Sequence, residues 1–182
     1  MKGDLFMLMN KRVVLAYSGS FNTTIAIQCL KEQGYDVIAV CIDVGEGKDL
    51  SEIKVKAIQV GAVSSYVVYA KDEFKNDYEQ FYEKDYDLLG SALSRPFITK
   101  KLVEIAEEEN AVAIAHGCNS WDKDQVCFED LVKELNSNLK VLAPAREWDW
   151  SREEKIAYAR ENSIPIPIDI QTNWAKLVDT WF

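Results

Sequence analysis

The chain has 182 residues, 48% of them apolar, and a formal net charge of -9 at pH 7. This length suits one domain with one sizeable core, and a second full domain is not expected. Nucleic-acid phosphates require a clustered basic face, so the acidic balance spread along the chain argues against nucleic acid and favours a small-molecule substrate.

The start of the chain predicts neither export nor membrane insertion. Residues 1–10 lack a long apolar segment with a small-residue cleavage site, and no apolar stretch approaches the ~20 residues of a membrane span. We therefore expect a cytoplasmic protein with a flexible N-terminus and no membrane partner. The four cysteines form no Cys-x-x-Cys pair and there is one histidine, so no metal ligands are predicted.

Strands and helices alternate along the chain. A buried strand is predicted over 12–17, followed by a helix over 23–33 that Gly34 ends. The later elements are a strand at 36–42, a helix at 50–60, a strand at 65–69, helices at 72–82 and 96–110, a strand at 112–115, a helix at 124–135, a strand at 140–143 and a helix at 151–161. This order predicts an α/β fold with a parallel five-stranded sheet, helices on both faces and ligands at the carboxyl ends of the strands.

Two boundaries follow from this pattern. The predicted nucleotide-binding domain covers residues 11–163. The segment 164–182 begins Ile-Pro-Ile-Pro-Ile, which cannot be regular helix, and it ends in aromatic residues. We interpret it as a packing arm or an oligomer contact, and the second interpretation allows a homodimer.

A phosphate-binding loop is predicted between the first strand and the first helix. Residues 13–24 read V-V-L-A-Y-S-G-S-F-N-T-T, so the strand breaks at Ser18-Gly19-Ser20 and a helix follows. Unpaired backbone N–H groups and the positive end of the helix dipole then face outward, which suits phosphate. The alternative interpretation is an ordinary polar turn.

The ordered motifs of the chain resemble one family, the argininosuccinate synthases. These are N-type ATP pyrophosphatases with the Rossmann-like HUP, or adenine nucleotide alpha-hydrolase-like, fold. The loop A-Y-S-G-S-F-N-T-T is similar to the family's A-Y-S-G-G-L-D-T-S. The resemblance covers about residues 11–174, and its further segments are K-E-Q-G-Y-D-V-I-A at 31–39, Arg95-Pro96, Ala115-His116-Gly117, Asp124-Gln125-Val126, Ala143-Pro144, Arg146-Glu147-Trp148 and Ile164-Pro165-Ile166-Pro167.

The resemblance implies ATP and Mg²⁺ as cofactors and an adenylation as the first step. In the family, the ureido oxygen of citrulline attacks the α-phosphate, pyrophosphate leaves, and the amine of aspartate then displaces AMP. No protein nucleophile is required, so the enzyme has to position the attacking oxygen and neutralise the charge of the leaving pyrophosphate. The nucleotide contacts carried over from the family are Ala16, Tyr17, Ser18, Gly19, Ser20, Asn22, Thr23, Thr24, Ile42 and Gly117.

The chain departs from the family within the phosphate loop. Ser20 replaces the family's second glycine, and we expect it to add a Cβ where φ is positive, at a cost of about 1 kcal/mol. Asn22 replaces an aspartate, which keeps the shape of the side chain but removes a charge that helps hold a metal or orient the loop. Nucleotide binding is therefore expected to survive better than turnover.

The family's substrate contacts are also altered. Asn119 and Lys123 stand in place of the family's threonine and asparagine, Cys127 replaces its arginine, and Asp124 persists. The loss of the arginine guanidinium removes a bidentate hydrogen bond to a carboxylate, and cysteine cannot make that bond. Because the family continues into a second large domain beyond the point where this chain stops, we do not expect the chain alone to make argininosuccinate. The substrate-binding candidates are Tyr86, Ser91, Asn119, Trp121, Lys123, Asp124 and Cys127.

Cys118 directly follows the predicted nucleotide contact Gly117. Related pyrophosphatases that thiolate their substrates displace AMP with a cysteine persulfide, and nearby helix N–H groups and Lys123 are expected to lower the pKa of the Cys118 thiol. The favoured hypothesis is an enzyme that adenylates a carbonyl or amide oxygen of a small molecule and replaces it with sulfur, using a sulfur donor protein. The catalytic candidates are Cys118, Asn22 and Asp124.

Other interpretations stay open. Cys118 is equally explained as a small buried hydrophobe, since free cysteine is among the most buried residue types. One alternative function is an ATP-dependent carbon-nitrogen ligase that uses citrulline and aspartate or another amine. A further alternative, motivated by Ser20 and Asn22, is a non-catalytic nucleotide-binding paralogue.

Overall fold

The structure is a computed structural model that describes residues 11–45, 50–82, 86–118, 123–148 and 150–167, with side chains omitted at 78–82, 86–93 and 123–127. It confirms the predicted α/β class, because the five strands form one parallel sheet in the order β3-β2-β1-β4-β5. The elements are β1 (Lys11–Ala16), α1 (Phe21–Glu32), β2 (Tyr35–Asp43), α2 (Ser51–Val60), β3 (Ser64–Tyr69), α3 (Lys71–Tyr82), α4 (Tyr86–Glu108), β4 (Ala113–Ala115), α5 (Lys123–Leu135), β5 (Lys140–Leu142), α6 (Pro144–Glu147) and α7 (Arg152–Glu161).

Strand β1 lies at the centre of the sheet. It pairs with β2 along its whole length and with β4 over residues 13–15. Val13, Val14 and Leu15 are each 0% exposed. Side chains of a strand alternate between the two faces, so Val13 and Leu15 enter one core cluster and Val14 enters the other. A fully buried strand of this kind requires helices on both faces.

The two faces are covered by different helices. One core cluster joins the sheet to α1, α2 and α7 through residues such as Ile25, Ala57 and Ala159. The other joins it to α4 and α5 through residues such as Leu102 and Val132. This arrangement follows from the parallel pairing, since the connection between parallel neighbours has to cross a face of the sheet.

Two helical segments differ from the sequence prediction. The helix predicted to start at Pro96 instead starts at Tyr86, with Pro96 inside it. A proline inside a helix removes one backbone hydrogen bond, yet the helix continues, and Phe97 beside it packs edge-on against Phe74 of α3 at a centroid distance of 5.3 Å. The four-residue helix α6 was not predicted, because so short a segment carries no periodicity.

The C-terminal part of the described chain closes one face of the sheet. Helix α7 starts with a capping box, in which Ser151 Oγ accepts from Glu154 N and Glu154 Oε2 accepts from Ser151 N. Ile164 is 5% exposed and lies in the same core cluster as α1, with Ile166 packed against it.

Residues 1–10 and 168–182 lie outside the described ranges, so the flexible start and the oligomer contact stay predictions. The described helices include none with the length and apolar character needed to cross a membrane.

Candidate functional site

The loop between β1 and α1 turns at Gly19. Its φ is +74°, in the left-handed region that favours glycine. A Cβ added there would lie 3.1 Å from Ile53 Cγ1 of α2, so the turn also needs the missing side chain. Lys56 of α2 donates from Nζ to the Gly19 carbonyl oxygen at 2.9 Å. The backbone of the loop is therefore held closely by α2.

Ser20 is the N-cap of α1 rather than a strained residue. Its φ of -64° and ψ of 164° are extended, and Oγ accepts from Thr23 N at 3.4 Å. The expected positive φ at Ser20 is therefore wrong, because the loop makes its left-handed turn one residue earlier, at Gly19. The cap also explains why α1 begins at Phe21, two residues before the predicted start.

Hydroxyl groups cluster around the first turn of α1. Thr23 Oγ1 donates to the Ser20 carbonyl at 3.1 Å and lies 3.0 Å from Ser20 Oγ and 3.4 Å from Ser18 Oγ. Thr24 Oγ1 donates to the same carbonyl at 2.7 Å and contacts the Tyr17 hydroxyl at 3.3 Å. Tyr17 and Thr24 are 2% and 0% exposed, and burial raises the pKa of Tyr17. Their side chains thus support the loop from within the core.

Gly117 brings the loop after β4 against the first turn of α1. A Cβ at Gly117 would lie 2.6 Å from Thr23 Cγ2 and 3.4 Å from Thr23 N. The two loops approach because β4 pairs directly with β1, which places both carboxyl ends at one edge of the sheet. The sequence-predicted nucleotide contacts on the first and fourth strands are therefore neighbours in space.

The remaining predicted nucleotide contacts lie at the same edge. Ala16 is the last residue of β1, and the N–H of Tyr17 donates to the Val40 carbonyl of β2 at 2.8 Å. Ile42 lies two residues further along β2, half-buried, with its side chain packed on the α3 and α4 side. Its assignment to adenine stays a prediction.

Two lysines of the site were missed by the sequence analysis. Lys56 of α2 contacts Gly19, and Lys155 of α7 donates from Nζ to Asn22 Oδ1 at 3.3 Å. Burial lowers the pKa of both lysines. They lie 37 and 133 residues along the chain from their partners, so no local motif signals them.

Cys118 is half-buried and lies directly after Gly117 on the same loop. Its backbone N–H donates to His116 Nδ1 at 3.3 Å. His116 is 3% exposed, and its Nε2 lies 3.9 Å from Glu129 Oε1, which accepts from Arg146 Nη1 at 2.8 Å. His116 thus links the thiol-bearing loop to α5 and α6.

The predicted substrate contacts fall largely outside what the structure describes. Asn119 and Trp121 lie outside the described residues. Five others are described by their backbone alone, Tyr86 and Ser91 in α4 and Lys123, Asp124 and Cys127 in α5. The substrate roles of all seven, and the catalytic role of Asp124, stay predictions.

The chain is similar to one family of known proteins over most of its length. Residues 12–165 match the family model described as the arginosuccinate synthase N-terminal HUP domain. The argininosuccinate synthase of Anoxybacillus flavithermus is 56% identical over 181 residues, and that of Bacillus subtilis is 54% identical over 182. Both alignments cover 96% of this chain, which spans 45% of the length of each relative.

A solved structure shares the fold at much lower sequence similarity. The structure of a 4-thiouridine synthetase in complex with RNA and with bound ATP superimposes with a TM-score of 0.64 at 18% identity. The match covers 89% of this chain and 42% of the synthetase chain. This structural similarity supports the assignment of the fold and nothing about function.

Proposed function

The chain belongs to the argininosuccinate synthase family through its N-terminal HUP domain, and on this basis we propose that it binds ATP and adenylates a small molecule. The acceptor atom in this proposal is a carbonyl or amide oxygen, which attacks the α-phosphorus as pyrophosphate leaves. The observation that carries the proposal is the contact between Gly117 and Thr23, because it joins the loops after β4 and β1 around one helix N-terminus.

The residues at this edge suit a polyphosphate. The first turn of α1 leaves the N–H groups of Phe21 and Asn22 without an intrahelical acceptor, and the helix dipole adds positive potential there. The hydroxyls of Ser18 and Ser20 lie on the same loop. These groups would orient the phosphates and stabilise the charge of the leaving pyrophosphate.

We propose that Mg²⁺ enters with the nucleotide. Within the described ranges, no three His, Cys, Asp or Glu side chains cluster as a metal site. Mg²⁺ is commonly held by substrate phosphates and waters with one or two carboxylates, so the phosphates themselves would supply most of its ligands. When bound, the ion would neutralise the leaving pyrophosphate.

The adenylation is tested by its products. The chain is incubated with ATP, Mg²⁺ and a panel of ureido, amide and heteroaromatic carbonyl compounds, and pyrophosphate and orthophosphate are measured separately. We expect acceptor-dependent formation of AMP and pyrophosphate, with transfer of ¹⁸O from the labelled acceptor to AMP. ADP with orthophosphate would instead indicate phosphorylation and contradict the proposal. ATP binding without any release of pyrophosphate would favour the non-catalytic paralogue.

Two nucleophiles are candidates for the second step. The names of the relatives favour an amine, which would displace AMP and form a carbon-nitrogen bond. The position of Cys118 directly after Gly117 favours sulfur. In that route a sulfur donor protein leaves a persulfide on Cys118, its terminal sulfur attacks the adenylated carbon, and AMP departs with the oxygen. A second thiol then cleaves the S–S bond, which releases the thiolated product and leaves a disulfide.

Replacement of Cys118 separates the two routes. If sulfur is transferred through Cys118, Cys118→Ser should abolish thiolated product, because a hydroxyl cannot carry a persulfide. ATP affinity should stay within about twofold of the parent chain, since the change is nearly isosteric. Product would be followed by mass spectrometry and ATP binding by calorimetry, with Cys41→Ser in β2, which is half-buried like Cys118, as the matched control. Unchanged turnover in Cys118→Ser would rule out the sulfur route and leave the amine route.

A further inference from the structure

The ammonium group of Lys155 is fixed beside the first turn of α1. Its Nζ donates to Asn22 Oδ1 at 3.3 Å. Helix α7 is held alongside α1 further down by the contact between Cys29 Sγ and the Tyr158 hydroxyl at 3.4 Å. Both helices therefore present their N-terminal ends at the edge of the sheet where the phosphate loop lies.

This position is unfavourable for a cation unless an anion joins it. The N-terminus of a helix carries partial positive charge, so an ammonium group beside it is repelled. The Asn22 amide is neutral, and among the described residues no carboxylate forms an ion pair with Lys155. Burial also lowers the pKa of Lys155. The charge of Lys155 is thus left without a counter-charge in the described part of the chain.

A second ammonium group reaches the same loop from α2. Lys56 Nζ lies 2.9 Å from the Gly19 carbonyl oxygen, three residues before Asn22, and burial lowers the pKa of this lysine also. Its acceptor is again an uncharged oxygen. Two half-buried ammonium groups from different helices therefore converge on one four-residue stretch of the loop.

We propose that Lys155, together with Lys56, forms the cationic part of the polyphosphate subsite. The proposal rests on the proposed binding of ATP and adds the residues that recognise its charge. Phosphate oxygens would supply the counter-charge that the amide and carbonyl partners lack, and the helix dipole would then favour the ligand instead of opposing the lysines. The subsite should therefore select nucleotides by their number of phosphates.

The test compares ligands that share adenosine and differ in their number of phosphate groups. Binding of adenosine, AMP and ATP is measured by calorimetry without Mg²⁺, so that the lysines supply the counter-charge. We expect Lys155→Met to weaken ATP binding at least about tenfold, AMP binding less, and adenosine binding not at all. Lys155→Arg should keep most of the ATP affinity, because it retains the charge.

A matched control is available on α1 itself. Lys31 lies in the last turn of that helix, at the end away from the loop, and Lys31→Met should leave all three affinities unchanged. ATP binding by Lys155→Met equal to that of the parent chain would overturn the proposal, and so would a loss of adenosine binding as large as the loss of ATP binding. A parent chain that binds none of the three ligands would instead refute the proposed function.

Discussion

Replacing Gly117 with alanine is expected to weaken ATP binding by at least about tenfold. The added Cβ would lie 2.6 Å from Thr23 Cγ2, which is too close for any packed pair of carbons. Thr23 cannot rotate away cheaply, because its Oγ1 donates to the Ser20 carbonyl and contacts Ser20 Oγ. The loop after β4 must then move away from the phosphate loop, and overpacking of this kind typically costs about 1–3 kcal/mol.

The clash can be removed without removing the hydroxyl. Thr23→Ser deletes Cγ2 and retains Oγ, so the double variant Thr23→Ser/Gly117→Ala should recover most of the ATP affinity. Calorimetry on the parent chain, both single variants and the double variant forms a complete double-mutant cycle. A double variant whose loss of ATP affinity equals the sum of the losses in the two single variants would show that this contact does not shape the nucleotide site.

Replacing Leu15 with alanine should lower the free energy of unfolding by about 2–5 kcal/mol. Leu15 is 0% exposed in the central strand β1, where it is paired with Ala39 on β2 and Ala115 on β4. These small neighbours are held by the sheet and cannot fill the space left behind. Because domains are commonly stable by only about 5–15 kcal/mol, the loss should be a large fraction of the total.

Urea denaturation measures the free energy of unfolding of the variants. The midpoint should fall strongly for Leu15→Ala, with the slope of the transition unchanged. Val55 on α2 is 56% exposed, so Val55→Ala is the matched control and should change stability by no more than about 0.5 kcal/mol. Similar midpoints for the two variants would mean that β1 is not the centre of the core.

The fold was predictable from local signals because each element carries its own pattern. The apolar run at 13–15, glycines such as Gly34 and Gly61 after helices, and the alternation of strands and helices all point to one parallel sheet. Where local signals conflict, prediction failed. Pro96 indicates a helix start, yet α4 begins at Tyr86 and continues through it, and Phe97 beside it packs against Phe74.

The phosphate loop was predictable in its position but not in its conformation. The sequence pattern placed a loop at 18–22 between a strand and a helix; the structure has the loop there, but α1 already begins at Phe21. The assignment of the left-handed turn to Ser20 was wrong, because the chain turns at Gly19, where Ile53 and Lys56 of α2 contact the loop. These contacts join residues more than thirty positions apart, and no local pattern encodes them.

The sequence by itself thus determined the parallel sheet, the phosphate loop and the family resemblance, since each rests on neighbouring residues. Only the tertiary structure decided that Gly117 meets Thr23 and that Lys155 reaches Asn22. The physical reason is that a parallel sheet gathers the carboxyl ends of distant strands, with the N-termini of the following helices, at one edge. The charges and close contacts at that edge depend on which helices lie side by side. Local sequence patterns do not indicate which helices become neighbours.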